Sequence, residues 1–225
     1  MGRAAGVCSV TMRVTHFGHS CLLVETGAAR VLLDPGTLSH GFEELEGLDA
    51  VLVTHAHPDH VDVERLPSLL DGNDGAVLRA EPGVAASLSE SGLPALPLHP
   101  GESFDVAGVT TTAVGGRHAL IHADVARIGN VGFLLSAEGE PTLFHPGDSY
   151  EATPEGVDVL AVPLNAPWAA SKETVDFVRA VGAREGLLIH DGLLSPAGRA
   201  VYGGQVTTLG GLAVRPLDGT TPVEF

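Results

Sequence analysis

The sequence predicts a layered α/β protein, with β-sheets inside and helices packed outside them. Three observations carry this. The first third of the chain alternates short apolar, β-branched stretches with Gly, Pro and Asp, the pattern of an antiparallel start. Asp49–Thr54 (DAVLVT) is a nearly continuous apolar run, as expected of a strand buried on both faces. The order of strands, buried strand and helix then returns in the second half of the chain.

Taken in order, Val10–Val14, Cys21–Glu25 and Val31–Asp34 read as strands, with Thr26-Gly27-Ala28-Ala29-Arg30 as a hairpin connection. Asp49–Thr54 follows, and Pro58 opens a short helix reaching Leu66, stopped by Pro67. A helix near Gly83–Ser91 precedes strands near Val109–Val114, Val131–Ser136, Thr142–His145 and Val157–Val162. A helix over Lys172–Val181 places Val175, Val178 and Val181 on one face, with Ser171 as its N-cap, before a strand at Leu187–Ile189. No linker interrupts the chain and no residue-level repeat marks it, so one domain over 12–225 is expected, and the shared order of the two halves suggests an old duplication. Residues 1–11 carry little pattern and are expected to fray, with Met12 as an alternative start.

With 225 residues, 44% hydrophobic and 18% charged, the chain builds a core without staples, and disorder is excluded. Its two cysteines, Cys8 and Cys21, supply no disulfide framework, and a reducing cytoplasm is expected. No apolar run approaches the ~20 residues a bilayer demands and no leader is evident, so a soluble, unexported protein without membrane partners is expected. A net charge of −16 repels phosphate backbones and disfavours nucleic acid as a partner. A small-molecule substrate is the expected partner, and a homo-oligomer stays open. The eleven histidines are more informative, because histidine is a common metal ligand.

Thr54-His55-Ala56-His57-Pro58-Asp59-His60 packs four metal-binding side chains into six residues directly after the buried strand, at the end where open α/β sheets place their ligands. His55 and His57 alternate along an extended segment and so project to one side. Pro58 then turns the chain into the expected helix, which aims Asp59 and His60 differently. That geometry suits two neighbouring ions, His55 and His57 serving the first, Asp59 and His60 the second.

This H-x-H-x-D-H string resembles the signature of the metallo-β-lactamase superfamily, whose fold is a four-layer αββα sandwich of two mixed β-sheets flanked by helices. The resemblance runs over nearly the whole chain. It implies three later ligands from strand ends: a third histidine for the first ion, an aspartate bridging both, and a last histidine for the second. His118, Asp148 and His190 stand in those places. His122 competes with His118, which lies nearer its strand end; His145 reads better as a core histidine than as a ligand; and Asp191 is the neighbour that competes with His190. His16-Phe17-Gly18-His19-Ser20 and Leu32-Leu33-Asp34-Pro35-Gly36 are similar to the opening of a branch that holds the L-ascorbate 6-phosphate lactonase-like proteins and a group of short metal-dependent hydrolases. The short group matches this length better. Asp34 is expected to accept a hydrogen bond from a ligand histidine or from the signature loop, and His19 to stand at the pocket rim or to be structural. Trp168, the only tryptophan, is expected in a loop beside the site, as a pocket wall or as an anchor to the core.

The resemblance implies two divalent ions, zinc first, with Mn, Fe, Co or Ni also compatible with an N/O ligand set. A bridging hydroxide would be the nucleophile, since metal binding lowers the pKa of water to about 7, and Asp59 would orient it and accept its proton. The expected reaction is hydrolysis of a small ester, lactone or phosphorylated metabolite. A phosphodiesterase or nuclease of the same fold, and a metal-binding sensor without turnover, are the alternatives; fold alone does not choose the bond.

Overall fold

In the computed structural model, which describes residues 11–217, 219 and 221–225, the apolar runs pair into two sheets. The first holds β1 (Arg13–His16), β2 (Leu22–Thr26), β3 (Ala29–Leu33), β4 (Ala50–Val53), β5 (Val77–Ala80) and β6 (Ala95–Pro97), side by side in that order. The second holds β7 (Ser103–Val106), β8 (Val109–Gly115), β9 (Val131–Ala137), β10 (Leu143–His145), β11 (Val159–Pro163), β12 (Glu185–Ile189) and β13 (Ala213–Val214). A last strand, β14 (Val223–Glu224), returns to pair with β1. Each sheet begins antiparallel and becomes parallel, changing at β3–β4 in the first and at β10–β11 in the second. Both sheets are thus mixed and of like construction.

Alternation along the strands makes the layers. Leu22, Val24, Leu33, Ala50 and Leu52 of the first sheet meet Val109, Phe133, Leu135, Val159 and Ile189 of the second, forming the core between the sheets. The outward residues Leu23, Leu32, Val51 and Val53 are covered by α1 (Leu66–Asp71) and α2 (Pro82–Glu90). Leu160, Val162 and Leu188 are covered by α3 (Ser171–Val181) and α4 (Pro196–Thr208). β4 and β11 are buried on both faces, which is why they read as unbroken apolar runs. The result is the four-layer αββα sandwich. No helix among the described residues is long and apolar enough to cross a membrane.

Several boundaries differ from the sequence reading. The expected helix from Pro58 to Leu66 is absent: residues 58–65 form turns, and α1 starts at Leu66 with Pro67 at its first turn. Proline there opens a helix rather than stopping one, because its missing N–H would have no partner anyway. Ala170, not Ser171, occupies the N-cap of α3, and the Ser171 hydroxyl donates instead to Gln205 of α4. β5, β6, β7, β13, β14 and α4 have no counterpart in the sequence reading. The frayed segment over 1–11, together with the first residues of the expected Val10–Val14 strand and Cys8, lies outside the described residues except for Thr11, whereas Met12 is fully buried in the core.

Candidate metal centre

The chain segments that leave β1, β3, β4, β8, β10 and β12 at their carboxyl ends converge on one edge of the sandwich. The signature loop is fixed there by its neighbours. Its Thr54 N–H and hydroxyl both donate to Asp34, at 2.8 and 2.7 Å. Thr37 N–H donates to Pro58 O at 2.8 Å, and the turn closes with His60 N–H on His57 O at 2.9 Å. The two backbones approach so closely that a Cβ at Gly36 would lie 1.9 Å from Asp59 O.

Hydrogen-bond direction shows which ring nitrogens are free to bind a cation. A neutral imidazole carries one N–H and one lone pair, and the partner of the first locates the second. His60 Nδ1 donates to Asp34 Oδ2 at 2.6 Å, His118 Nδ1 to Ala119 O at 2.7 Å, and His190 Nδ1 to Asn165 O at 2.6 Å. Their Nε2 atoms therefore present lone pairs, and all three are buried without a hydrogen-bond partner, as is Asp148 Oδ1. Such orphans are costly unless a cation satisfies them. At His55 the Thr54 hydroxyl already donates to Asp34, so it accepts from Nδ1 at 3.0 Å and leaves Nε2 as the lone pair, 3.1 Å from His57 Nδ1. Two ligand nitrogens on one zinc, each about 2.0–2.1 Å from it, lie at comparable separation. The donor set thus fits metal ions.

These atoms fall into two groups, each with its ligand atoms within 4.8 Å of one another: His55, His57, His118 and Asp148 in one, His19, Asp59, His60 and His190 in the other. Asp148 faces both. Its Oδ1 lies 3.1 Å from His60 Nε2, and its Oδ2 lies 3.1 Å from His190 Nε2 and 3.5 Å from His118 Nε2. Burial opposes charge on Asp148, yet His60, His118 and His190 hold its carboxyl well below the usual carboxylate range. Burial likewise opposes charge on Asp59, and the His19 hydrogen bond outweighs it and pushes the carboxyl down. His55 is driven well down by burial, followed by His60, which keeps it in the neutral form that ligates.

All seven ligands expected from the sequence are brought together, with Asp34 behind His60 and Thr54. Of the two places expected for His19, it does not take the rim: it is buried inside the second group, with Nε2 3.0 Å from Asp59 Oδ2. His122 is left outside, its side chain 66% exposed and its Nδ1 accepting from Asp124 N. His145 has both nitrogens engaged, Nε2 donating to Ser20 O and Nδ1 accepting from Gly147 N, and Asp191 pairs with Arg199 at 2.6 Å. Trp168 packs edge-on to Tyr150 and donates its indole N–H to Asp148 Oδ2 at 2.9 Å, so it contributes a polar contact as well as a wall. Asn130 escaped the sequence reading altogether. It accepts from Asp148 N and donates to Pro146 O, and no motif marks it. His19, Asp34 and His190 have left-handed backbones, with φ of 53, 46 and 55°. Non-glycine residues there cost about 1–3 kcal/mol each, and such strain gathers at functional sites.

The family model of the Beta-lactamase superfamily domain matches residues 13–185. Protein Rv0786c of Mycobacterium tuberculosis is 47% identical over 199 residues, covering 88% of this chain and 92% of that protein. A UPF0173 metal-dependent hydrolase of Chelativorans sp. is 33% identical over 153 residues; that match takes in 61% of this chain and only 63% of the relative's length. Among solved structures, the metallo hydrolase Igni18 of Ignicoccus hospitalis superposes with a TM-score of 0.73 at 18% identity, over 96% of this chain and 98% of that one. YhfI of Bacillus subtilis, a metallo-beta-lactamase fold protein, gives 0.72 at 19% identity, over 96% and 100%. The structural likenesses concern the fold.

Proposed function

The chain belongs to the beta-lactamase superfamily, and from that premise we propose that it is a metal-dependent hydrolase with a dinuclear centre that cleaves a small ester, lactone or phosphorylated metabolite. The observation that carries the reading is the convergence of three buried, partnerless histidine nitrogens on Asp148 between two ligand groups. His55, His57 and His118 would hold one ion, Asp59, His60 and His190 the other, and Asp148 would touch both. When bound, two divalent ions supply Lewis acidity and lower the pKa of water to about 7, which makes a nucleophile available at neutral pH.

The chain's own residues do the rest. Asp59 is the more exposed carboxylate, 25% against 4% for Asp148, and is the group placed to orient the nucleophile and accept its proton. Asp148, fixed by Trp168 through its carboxylate and by Asn130 through its N–H, supplies a preorganised negative charge between the two groups. The nearby arginines are already paired, Arg117 and Arg127 with Glu151 and Arg199 with Asp191. Paired cations make a poor clamp for phosphate, which favours uncharged esters and lactones within the proposed range. A panel of p-nitrophenyl esters, lactones, phosphorylated sugars, bis(p-nitrophenyl) phosphate and short RNA tests the reading, each assayed with zinc-loaded and with chelator-treated protein. Metal-dependent turnover of an ester or lactone is expected; turnover confined to the phosphodiester or RNA would contradict it.

A further inference from the structure

We propose that His19 is the positioning residue of Asp59 and not a ligand of the second ion, an assignment that rests on the dinuclear reading above. Position alone suggests a ligand, since the His19 ring atoms stand with those of Asp59, His60 and His190. Hydrogen-bond direction decides otherwise. In His60, His118 and His190 the proton is on Nδ1 and the lone pair on Nε2 faces the site. In His19 the order is reversed: Nδ1 accepts the backbone N–H of Gly192 at 3.2 Å, so the proton sits on Nε2, 3.0 Å from Asp59 Oδ2. An atom that donates its proton to a carboxylate has no lone pair to give a cation. Ligation through Nε2 would require an imidazolate or the loss of the Gly192 contact.

The ring is held in this sense from several sides. The carbonyl of His19 accepts from His16 Nε2 at 2.9 Å and from the backbone N–H of His190 at 2.8 Å. A Cβ at Gly192 would lie 3.0 Å from His19 Nδ1, so glycine is what lets that N–H reach the ring. His19 thereby ties the turn after β1 to the loop after β12, and from that brace it fixes one oxygen of a carboxylate that comes from a third segment. Ligand carboxylates are routinely oriented by such donors, whose loss weakens metal affinity by about 10–100-fold.

The test uses the full chain, apo and loaded with zinc. Imidazole 1H–15N correlation spectra, with the His19 signals identified by their loss in His19→Gln, should show a protonated Nε2 and an unprotonated Nδ1 both before and after loading. Elemental analysis at saturating zinc should find as much metal in His19→Ala and His19→Gln as in the wild type. Chelator competition should find the weaker-held ion loosened by about 10–100-fold in His19→Ala and largely restored in His19→Gln, whose amide keeps a donor. Loss of the Nε2 proton on loading, loss of one ion in both variants, or unchanged affinity in His19→Ala would each overturn the assignment. A wild type that takes only one ion contradicts the dinuclear reading instead, and the wild-type spectra still decide His19 even if His19→Ala does not fold.

Discussion

Asp34 Oδ2 lies 2.6 Å from His60 Nδ1, and both side chains are fully buried. The same carboxylate takes the N–H and hydroxyl of Thr54, so one residue after β3 orients both the start and the end of the signature loop.

Asp34→Asn therefore removes the charge while keeping shape and the left-handed backbone, which asparagine tolerates. Its NH2 group would face a donor, either Thr54 or His60. Zinc affinity should fall by about 10–100-fold with secondary structure unchanged, as read by competition with a coloured chelator. Wild-type affinity would show that the contact does not tune the ligand.

Asp59→Asn should lower turnover by orders of magnitude on any confirmed substrate while leaving the circular dichroism spectrum intact, because Asp59 packs at the mouth and not in the core. Near-wild-type turnover would place the proton-accepting group elsewhere.

His118→Ala removes a buried lone pair aimed at Asp148, whereas His122→Ala alters an exposed ring beside Asp124. Bound metal should fall in the first variant and stay unchanged in the second; the reverse result in a side-by-side assay would transfer the ligand role.

Gly36→Ala would drive a methyl group into the Asp59 carbonyl, with no flexible side chain to yield. A loss of about 1–3 kcal/mol or more in denaturant unfolding, or failure to accumulate folded protein, is expected. Full stability would mean that the two backbones are less tightly apposed.

The seven side chains that converge on the site were legible because four of them share the H-x-H-x-D-H string after an apolar strand, and the family resemblance pointed to the other three, each soon after an apolar strand. What the sequence hid depends on contacts between distant segments. His19 meets Asp59 across 40 residues, and Asn130 supports Asp148 across 18, separations that no local spacing encodes. α4 was missed for a different reason. Its glycines, Gly198, Gly203 and Gly204, depress helix propensity, yet a Cβ at Gly203 would meet Leu188 at 2.8 Å, so that glycine serves close packing on the sheet. β5, β6 and β7 are short strands toward sheet edges, and the half-exposed Ser-Phe-Asp-Val of β7 shows no clear core face.

The central claim is that two ligand groups share Asp148 and hold two ions. Elemental analysis of the wild-type chain, stripped with chelator, reloaded with zinc and freed of excess by gel filtration, measures this directly. The account predicts about two zinc ions per chain, falling to about one in the Asp59→Asn/His60→Ala double variant. A firm ceiling of one ion per wild-type chain, with the fold intact, would contradict it.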